Sequence, residues 1–401
     1  MHGRKYCKYI EKTLNYTKIK SCRVCDSKQL STVANFGALK ISTFVDKPKE
    51  HIGSAPLELL ECADCTLVQL AHTVPPEVMY HTYWYESATN KVLADNLKDI
   101  VRQIKKEISI SDYDIVLDIG ANDGTLLKEY MPRNEYRFFN RIGCEPAKNI
   151  LHKLEESCEY VINDFWDIKH YKWPLAKVIT AIGMFYDMED PNKFIQDIKN
   201  VLREDGIFVS QLMTLLPMLK QNDLGNICHE HLEYYTYKSL VTLFEQNGLE
   251  IYKVVENNIH GGSYQLWARH YKEGSIPFEE DKPDFKNFID TINTNRKKCL
   301  DFISSCSNVY IYGASTKGNT ILQYYGLNNT HIKGAAEIDS KKIGKYTVGS
   351  DIPIVHEDEA KEHAEYFLVL PYSFKEYFMN NNKDWQGKWI FCTPEFENVK
   401  T

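Results

Sequence analysis

Three groups of residues in this 401-residue chain have the types and spacing to do chemistry. Cys22-Arg23-Val24-Cys25 and Cys62-Ala63-Asp64-Cys65 are two C-x2-C pairs. Each is a turn that aims two thiolates at one point, and two such turns complete a tetrahedral zinc site. Four thiolates leave no open coordination position, so a metal on Cys22, Cys25, Cys62 and Cys65 is structural. Redox chemistry is the weaker reading, because one pair would suffice and neither opens a thioredoxin-like helix. The second group is Asp118-Ile119-Gly120-Ala121-Asn122-Asp123-Gly124, with Gly143-Cys144-Glu145-Pro146 and Asn163-Asp164-Phe165 further on. Glycine is needed where backbone approaches a ligand at a strand-to-helix turn. A dinucleotide fingerprint would read G-x-G-x-x-G; here the glycines are four apart and an acid precedes them. Asp118 suits an amino group rather than a pyrophosphate. Glu145 suits a ribose diol, and Asp164 with Phe165 suits an adenine. The set fits S-adenosylmethionine (SAM). The third group is His229-Glu230-His231, with Tyr235 close behind. Two imidazoles around a carboxylate can act as acid and base. The spacing is not the i, i+4 spacing of a zinc-protease helix.

Two glycine-bearing stretches follow. Asn258-Ile259-His260-Gly261-Gly262-Ser263 allows a bent strand or a bulge. Gly313-Ala314-Ser315-Thr316-Lys317-Gly318-Asn319-Thr320 matches a phosphate-binding loop in glycine spacing only. Asn319 stands where the lysine should be, which argues against nucleotide hydrolysis. A phosphate at the following helix N-terminus is still natural, with Lys317 adding charge. Glu337 and Asp339, after the next strand, could hold a ribose or the substrate.

These residues need a scaffold. The chain is long enough for two or three domains. Apolar residues make up 43% and charged residues 26%, an ordinary globular balance. The net charge of -7 argues against a nucleic-acid protein driven by bulk charge. No apolar run approaches a membrane span and the Lys-rich start has no secretory core, so the expectation is a cytoplasmic protein. Eleven cysteines suggest thiols or metal ligands rather than a disulfide scaffold. Short alternating segments at 57–61 and 66–70 read as strands flanking the cysteine pairs. Apolar spacing predicts a helix over 90–108. From 112 the pattern becomes strand, glycine turn, helix: strands at 114–118, 143–145, 161–164, 176–181 and 206–211, with a helix at 191–202. A polar linker at 272–286 leads to a helix at 288–306. A second alternation then begins, with strands at 308–312, 332–338 and 366–370 and a helix at 319–325. Such alternation predicts mainly parallel sheets covered by helices.

The order of these motifs, with the aromatic stretch 83–90, resembles the zinc-containing, SAM-dependent sugar C-methyltransferases of deoxysugar pathways over about residues 20–395. The resemblance implies an α/β chain in three parts: a zinc module (1–75), a class I methyltransferase domain with a Rossmann-like core (76–271), and a second Rossmann-like domain for a nucleotide-linked sugar (272–401). It implies SAM on Tyr85, Ser87, Asp118, Gly120, Asn122, Asp123, Gly124, Glu145, Pro146, Asp164 and Phe165. It places the sugar nucleotide near Tyr83, His260, Ser263, Gly313, Ser315, Lys317, Asn319 and Glu337. It makes His231 the base, with His229, Glu230 and Tyr235 beside it. Two positions depart from that pattern: Cys228 replaces a tyrosine, and Asp187 stands near the place of a histidine.

The expected activity is C-methylation of a nucleotide-linked keto-deoxysugar through a His-generated enolate. A carbon beside a ketone becomes nucleophilic once a base removes its proton, and a sulfonium methyl is already electrophilic. O-methylation of a sugar or glycan is the chemical alternative. A non-catalytic protein that binds SAM or a sugar nucleotide is the alternative of a different class.

Overall fold

A computed structural model describes residues 14–79, 87–89, 91–130, 140–370, 372 and 375–400, without the side chains of Thr89 and His260. Tyr83 and Tyr85 lie outside the described residues. A seven-stranded sheet forms the centre, in the order Leu249–Asn257, Ser263–His270, Leu202–Met213, Ala176–Ile182, Ile115–Ile119, Asn140–Cys144, Tyr160–Ile162. The last five strands run parallel. All five residues of Ile115–Ile119 are buried, as an apolar strand covered on both faces must be. Helices include Lys91–Glu107 and Pro191–Val201, the latter started by an Asp190 cap on the Lys193 amide.

The sheet is mixed, not wholly parallel. Its edge is an antiparallel hairpin of Leu249–Asn257 and Ser263–His270. The glycine pair makes its turn, a bend at the tip rather than inside a strand. Gly262 has φ +116°, and a Cβ there would stand 2.2 Å from Pro217 Cβ.

The N-terminal module is an antiparallel sheet in the order Glu233–Tyr234, Val68–Leu70, Ser54–Cys62, Leu30–Lys40. Its first strand comes from the segment just after His231. The C-terminal sheet runs Ile354–His356, Gly334–Glu337, Val309–Tyr312, Tyr366–Val369, Lys388–Phe391, Glu397–Lys400, with only the last strand antiparallel. The helix after its Val309–Tyr312 strand, Thr316–Tyr325, starts inside the stretch the glycine spacing assigns to a loop, so Lys317 and Asn319 sit on a helical turn. Ser315 caps it by accepting from the Gly318 amide at 3.0 Å. The cysteine pairs share one apolar cluster with the central sheet, while the far face of the N-terminal sheet shares another with the C-terminal domain. Among the described residues no helix is long and apolar enough to cross a membrane.

Candidate functional site

The two C-x2-C turns meet. Cys22 and Cys65 sulfurs are 3.5 Å apart, Cys25 and Cys62 sulfurs 3.6 Å, and all four lie within 4.8 Å of one another. A tetrahedral zinc thiolate with bonds of about 2.3 Å needs sulfurs about 3.8 Å apart. The donor set therefore fits zinc, and four sulfurs complete its coordination.

Arg23, between two of these ligands, faces the other way. Its guanidinium donates to the Leu70 carbonyl at 2.8 Å, Thr73 Oγ1 at 2.8 Å and Gln69 Oε1 at 3.3 Å. It also reaches Glu189 at 3.4 Å and Glu233 at 3.7 Å. Asn192 donates to the carbonyls of Arg23 and Val24, both at 2.9 Å. The cysteine turn thus grips the segments on either side of the central site.

At the carboxyl end of the central sheet, Asp118 is buried and accepts from Thr180 Oγ1 at 2.6 Å. Burial pushes its carboxyl up to about 7. Glu145 accepts from the Asn122 amide at 2.9 Å with one oxygen and the Ala147 amide at 2.8 Å with the other. Burial raises its pKa too, against those two bonds. Asn122 accepts from the Ser87 amide and Asp123 from the Ala88 amide, at 2.9 and 2.8 Å. The turn therefore brings Ser87 to the same crevice. Asn163 donates to the carbonyls of Glu145 and Pro146. Asp164 is exposed and accepts from the Phe165 amide, and the Phe165 ring keeps 41% of its surface in solvent at the crevice mouth. The structure thus brings a buried acid, an anchored carboxylate and an exposed aromatic to successive strand ends.

The two loop glycines serve the protein's own packing. Gly120 and Gly124 have φ of +71° and +77°. A Cβ would stand 2.7 Å from Met184 Cγ at the first and 2.4 Å from Ser157 Cβ at the second. The spacing pointed to glycine for ligand approach; side-chain packing is an equal reason.

His231 is buried, and its Nδ1 lies 2.7 Å from the Asn226 carbonyl. A carbonyl only accepts, so Nδ1 carries the proton and Nε2 the lone pair. The ring meets Tyr186 edge-on at 4.7 Å. A small cavity here is lined by Tyr186, Met213, Thr214, Asn226, His231 and Tyr234, among others. Lys317 reaches this place from the C-terminal helix and donates to Asn226 Oδ1 at 2.6 Å, with Met213 sulfur at 3.2 Å. Burial depresses its pKa, opposed by Asp223, Cys228, Asp187 and Glu230 around it. Glu230 is half-buried and pushed up to about 7 by burial. His229 lies elsewhere: its Nε2 is 2.9 Å from the Ala55 carbonyl, on the N-terminal sheet. Tyr235 stacks on Phe185 at 5.5 Å and does not line the cavity.

The remaining expected sugar-nucleotide residues spread out. Ser263 is buried and donates to the Ile259 carbonyl at 2.8 Å, and it borders a separate cleft with Glu256 and Tyr264. Asn319 is fully buried and donates to the Thr43 carbonyl at 3.1 Å, tying the helix to the N-terminal module. Gly313 has φ +87° and open space where a Cβ would be. Glu337 accepts from Lys342 at 3.1 Å and from the amides of Ile338 and Asp339. Gly313, the capped helix start and Glu337 stand together at one end of the C-terminal sheet.

Sequence reasoning passed over Tyr186, Asn226, Glu233, Tyr234 and Arg23. Asn226 is the hub, since its carbonyl orients His231 and its side chain holds Lys317. Its proximity to the H-E-H motif was the available signal.

Three family models match in succession: "Putative zinc binding domain" over residues 22–80, "Methyltransferase domain" over 85–254 and "C-methyltransferase C-terminal domain" over 258–394. The chain is 25% identical to C-methyltransferase NovU of Streptomyces niveus, over 94% of this chain and 96% of that protein. Similar solved structures include an S-adenosylmethionine-dependent methyltransferase from Clostridium acetobutylicum ATCC 824, with 13% identity, a TM-score of 0.36, and coverage of 44% of this chain and 92% of that one. Magnesium protoporphyrin IX methyltransferase of Synechocystis PCC 6803 is another, with 8% identity, a TM-score of 0.34, and coverage of 44% and 79%.

Proposed function

We propose, from the premise that this chain belongs to the zinc-containing, SAM-dependent C-methyltransferases, that its acceptor is a nucleotide-linked keto-deoxysugar and that His231 is the base. The observation that carries the reading is the Nδ1 contact with the Asn226 carbonyl at 2.7 Å, which leaves Nε2 basic in a water-poor pocket. SAM supplies an electrophilic methyl group when bound. His231 Nε2 takes the proton from the carbon beside the ketone. The carbonyl oxygen becomes an enolate oxygen, and Lys317 is the cation at hand to offset that charge. Tyr234, whose hydroxyl donates to the Asn226 carbonyl at 3.3 Å, helps fix the group that orients His231. With SAM in place, the enolate carbon would accept its methyl as the S–CH3 bond breaks and sulfur leaves as the neutral thioether of S-adenosylhomocysteine, and the His231 imidazolium would return its proton to water.

Asp118, Glu145, Asp164 and Phe165 hold the SAM side, with Ser87, Asn122, Asp123 and the two glycines shaping the loop. Gly313, Ser315 and Glu337 hold the nucleotide. Lys317 serves the reacting centre rather than the diphosphate. His229 and Asn319 act by docking the N-terminal module. These parts divide the chain near residues 75 and 271, with the Glu233–Tyr234 strand lent to the first part.

His231→Ala should lower kcat about 10²- to 10⁴-fold, the value of a positioned base. It should also stop exchange of the acidic carbon-bound proton with heavy water when SAM is absent, while calorimetric affinity for S-adenosylhomocysteine (SAH) is unchanged. Exchange at the native rate in His231→Ala would remove His231 as the base. Methylation of a hydroxyl with no exchange in the native protein would replace the C-methyl reading with O-methylation.

A further inference from the structure

One cluster in the central site joins His231 to two groups that the enolate chemistry does not use, Cys228 and Glu230. Cys228, Glu230 and His231 each offer one ligand atom, a sulfur, a carboxylate oxygen and an imidazole nitrogen, and these lie within 4.8 Å of one another. Cys228 and His231 have the C-x2-H spacing of a metal-binding turn, closed by the His231 amide on the Cys228 carbonyl at 3.3 Å. The Nδ1–H of His231 on the Asn226 carbonyl is the arrangement by which proteins orient a histidine whose Nε2 binds a metal. Asn226 is itself fixed, by Lys317 on its oxygen and by its own bond to Asp223 at 2.7 Å. Three donors of this kind, drawn in by about an ångström, make the ligand set of an open tetrahedral site.

The surroundings set the affinity. Asp187, Asp223 and Glu230 all act on Lys317, which is one cation among three half-buried acids. That excess of carboxylates favours a divalent ion, while the Lys317 ammonium opposes it. The site should therefore hold metal more weakly than four thiolates do.

We propose that Cys228, Glu230 and His231 form a second metal site, with a fourth position open to water or a substrate oxygen. It takes zinc or a similar thiophilic divalent ion reversibly. Binding expels the Cys228 thiol proton to solvent and occupies the His231 lone pair, so an ion here blocks the base; this last clause rests on the role given to His231 above. The four-cysteine site and the second site thus make opposite uses of one metal, the first to fold the protein and the second to silence it.

The test is a cobalt(II) titration of the full chain carrying one zinc. A thiolate-to-cobalt charge-transfer band should grow and saturate at one added equivalent. Cys228→Ser should abolish the band, and Glu230→Gln should weaken binding at least about tenfold. No band, or an equal band in Cys228→Ser, overturns the site. Excess zinc should then stop heavy-water exchange of the acceptor at the concentration that fills the site, with recovery on adding a chelator. Equal zinc inhibition of Cys228→Ser, or none in the native protein, overturns the blocking role. Failure of exchange in protein freed of the second metal would instead count against the base assignment and leave the cobalt band untouched.

Discussion

At the scale of single residues, the crevice depends on carboxylates held in places that oppose their charge. Asp118 is the clearest case, with burial lifting it to about 7 while Thr180 donates to it and Glu145 adds repulsion. Its folded pKa lies above the unfolded value, so Asp118 favours folding of the ligand-free protein below about pH 4 and loses that advantage as pH rises through 7. The ammonium of a bound ligand reverses the preference by favouring the ionised acid. SAH binding at pH 6 should therefore release close to one proton per chain, and at pH 9 almost none from this group. Calorimetry in buffers of different ionisation heat measures that number. Asp118→Asn should abolish the release, and a native protein that releases no proton at pH 6 would show that Asp118 does not meet the ammonium.

At the scale of elements, the cysteine turn and the His231 segment form one mechanical unit. Glu233 follows His231 by two residues, is fully buried, and has Arg23 at 3.7 Å. The Leu70 amide donates to the Leu232 carbonyl at 2.9 Å, and the Leu232 amide to the Tyr186 carbonyl at 2.8 Å. Arg23→Met keeps the stem but takes the guanidinium donor from the Leu70 carbonyl and Gln69 and the neighbouring cation from Glu233, a loss of about 1 to 3 kcal/mol for each buried polar group left stranded. Zinc should stay at one per chain and SAH affinity should hold, while kcat falls. Glu233→Gln in the same chain should recover part of the stability, and a double-mutant cycle with zero coupling would refute the pairing. None of this was legible from sequence. An arginine inside a C-x2-C turn looks solvent-facing, and the two-residue Glu233–Tyr234 strand carries no periodicity. What could be read were the parallel strands, because Ile115–Ile119 and Ala176–Ile182 are apolar runs ended by polar turns. The edge hairpin escaped because its two strands meet at Gly261-Gly262, which reads equally as a bulge. The candidate site was legible where one motif carries its own chemistry, as at Asp118 and His231, both buried polar groups. It was not legible where the partner is distant, as with Lys317 and Asn226, which are 91 positions apart.

At the scale of the whole molecule, the N-terminal module sits between the other two parts, and among the described residues its separate core is small, Ile41, Ala55 and Val74. Cys22, Cys62 and Cys65 pack with Phe185, Phe208 and Phe244 of the central domain, and Phe36, Leu57 and Val68 pack with Phe288, Ile311 and Ile321 of the C-terminal domain. Zinc should therefore support all three parts together. Removing it with a strong chelator should lower the thermal midpoint by about 10 °C or more. Trp267 in the central sheet and Trp389 in the C-terminal sheet should report the fall together; a C-terminal transition that ignores the chelator would show that the parts unfold separately. The lent strand bears on how such enzymes can be recombined. A crossover near residue 80 looks clean along the chain, yet it would give the N-terminal sheet of one parent an edge strand from the other. The graft that respects the pairing carries residues 226–236 along with the module, and with them His231. Exchanging the module between relatives would thus carry His231 and Asn226 with it, leaving Asp118 and Glu145 behind.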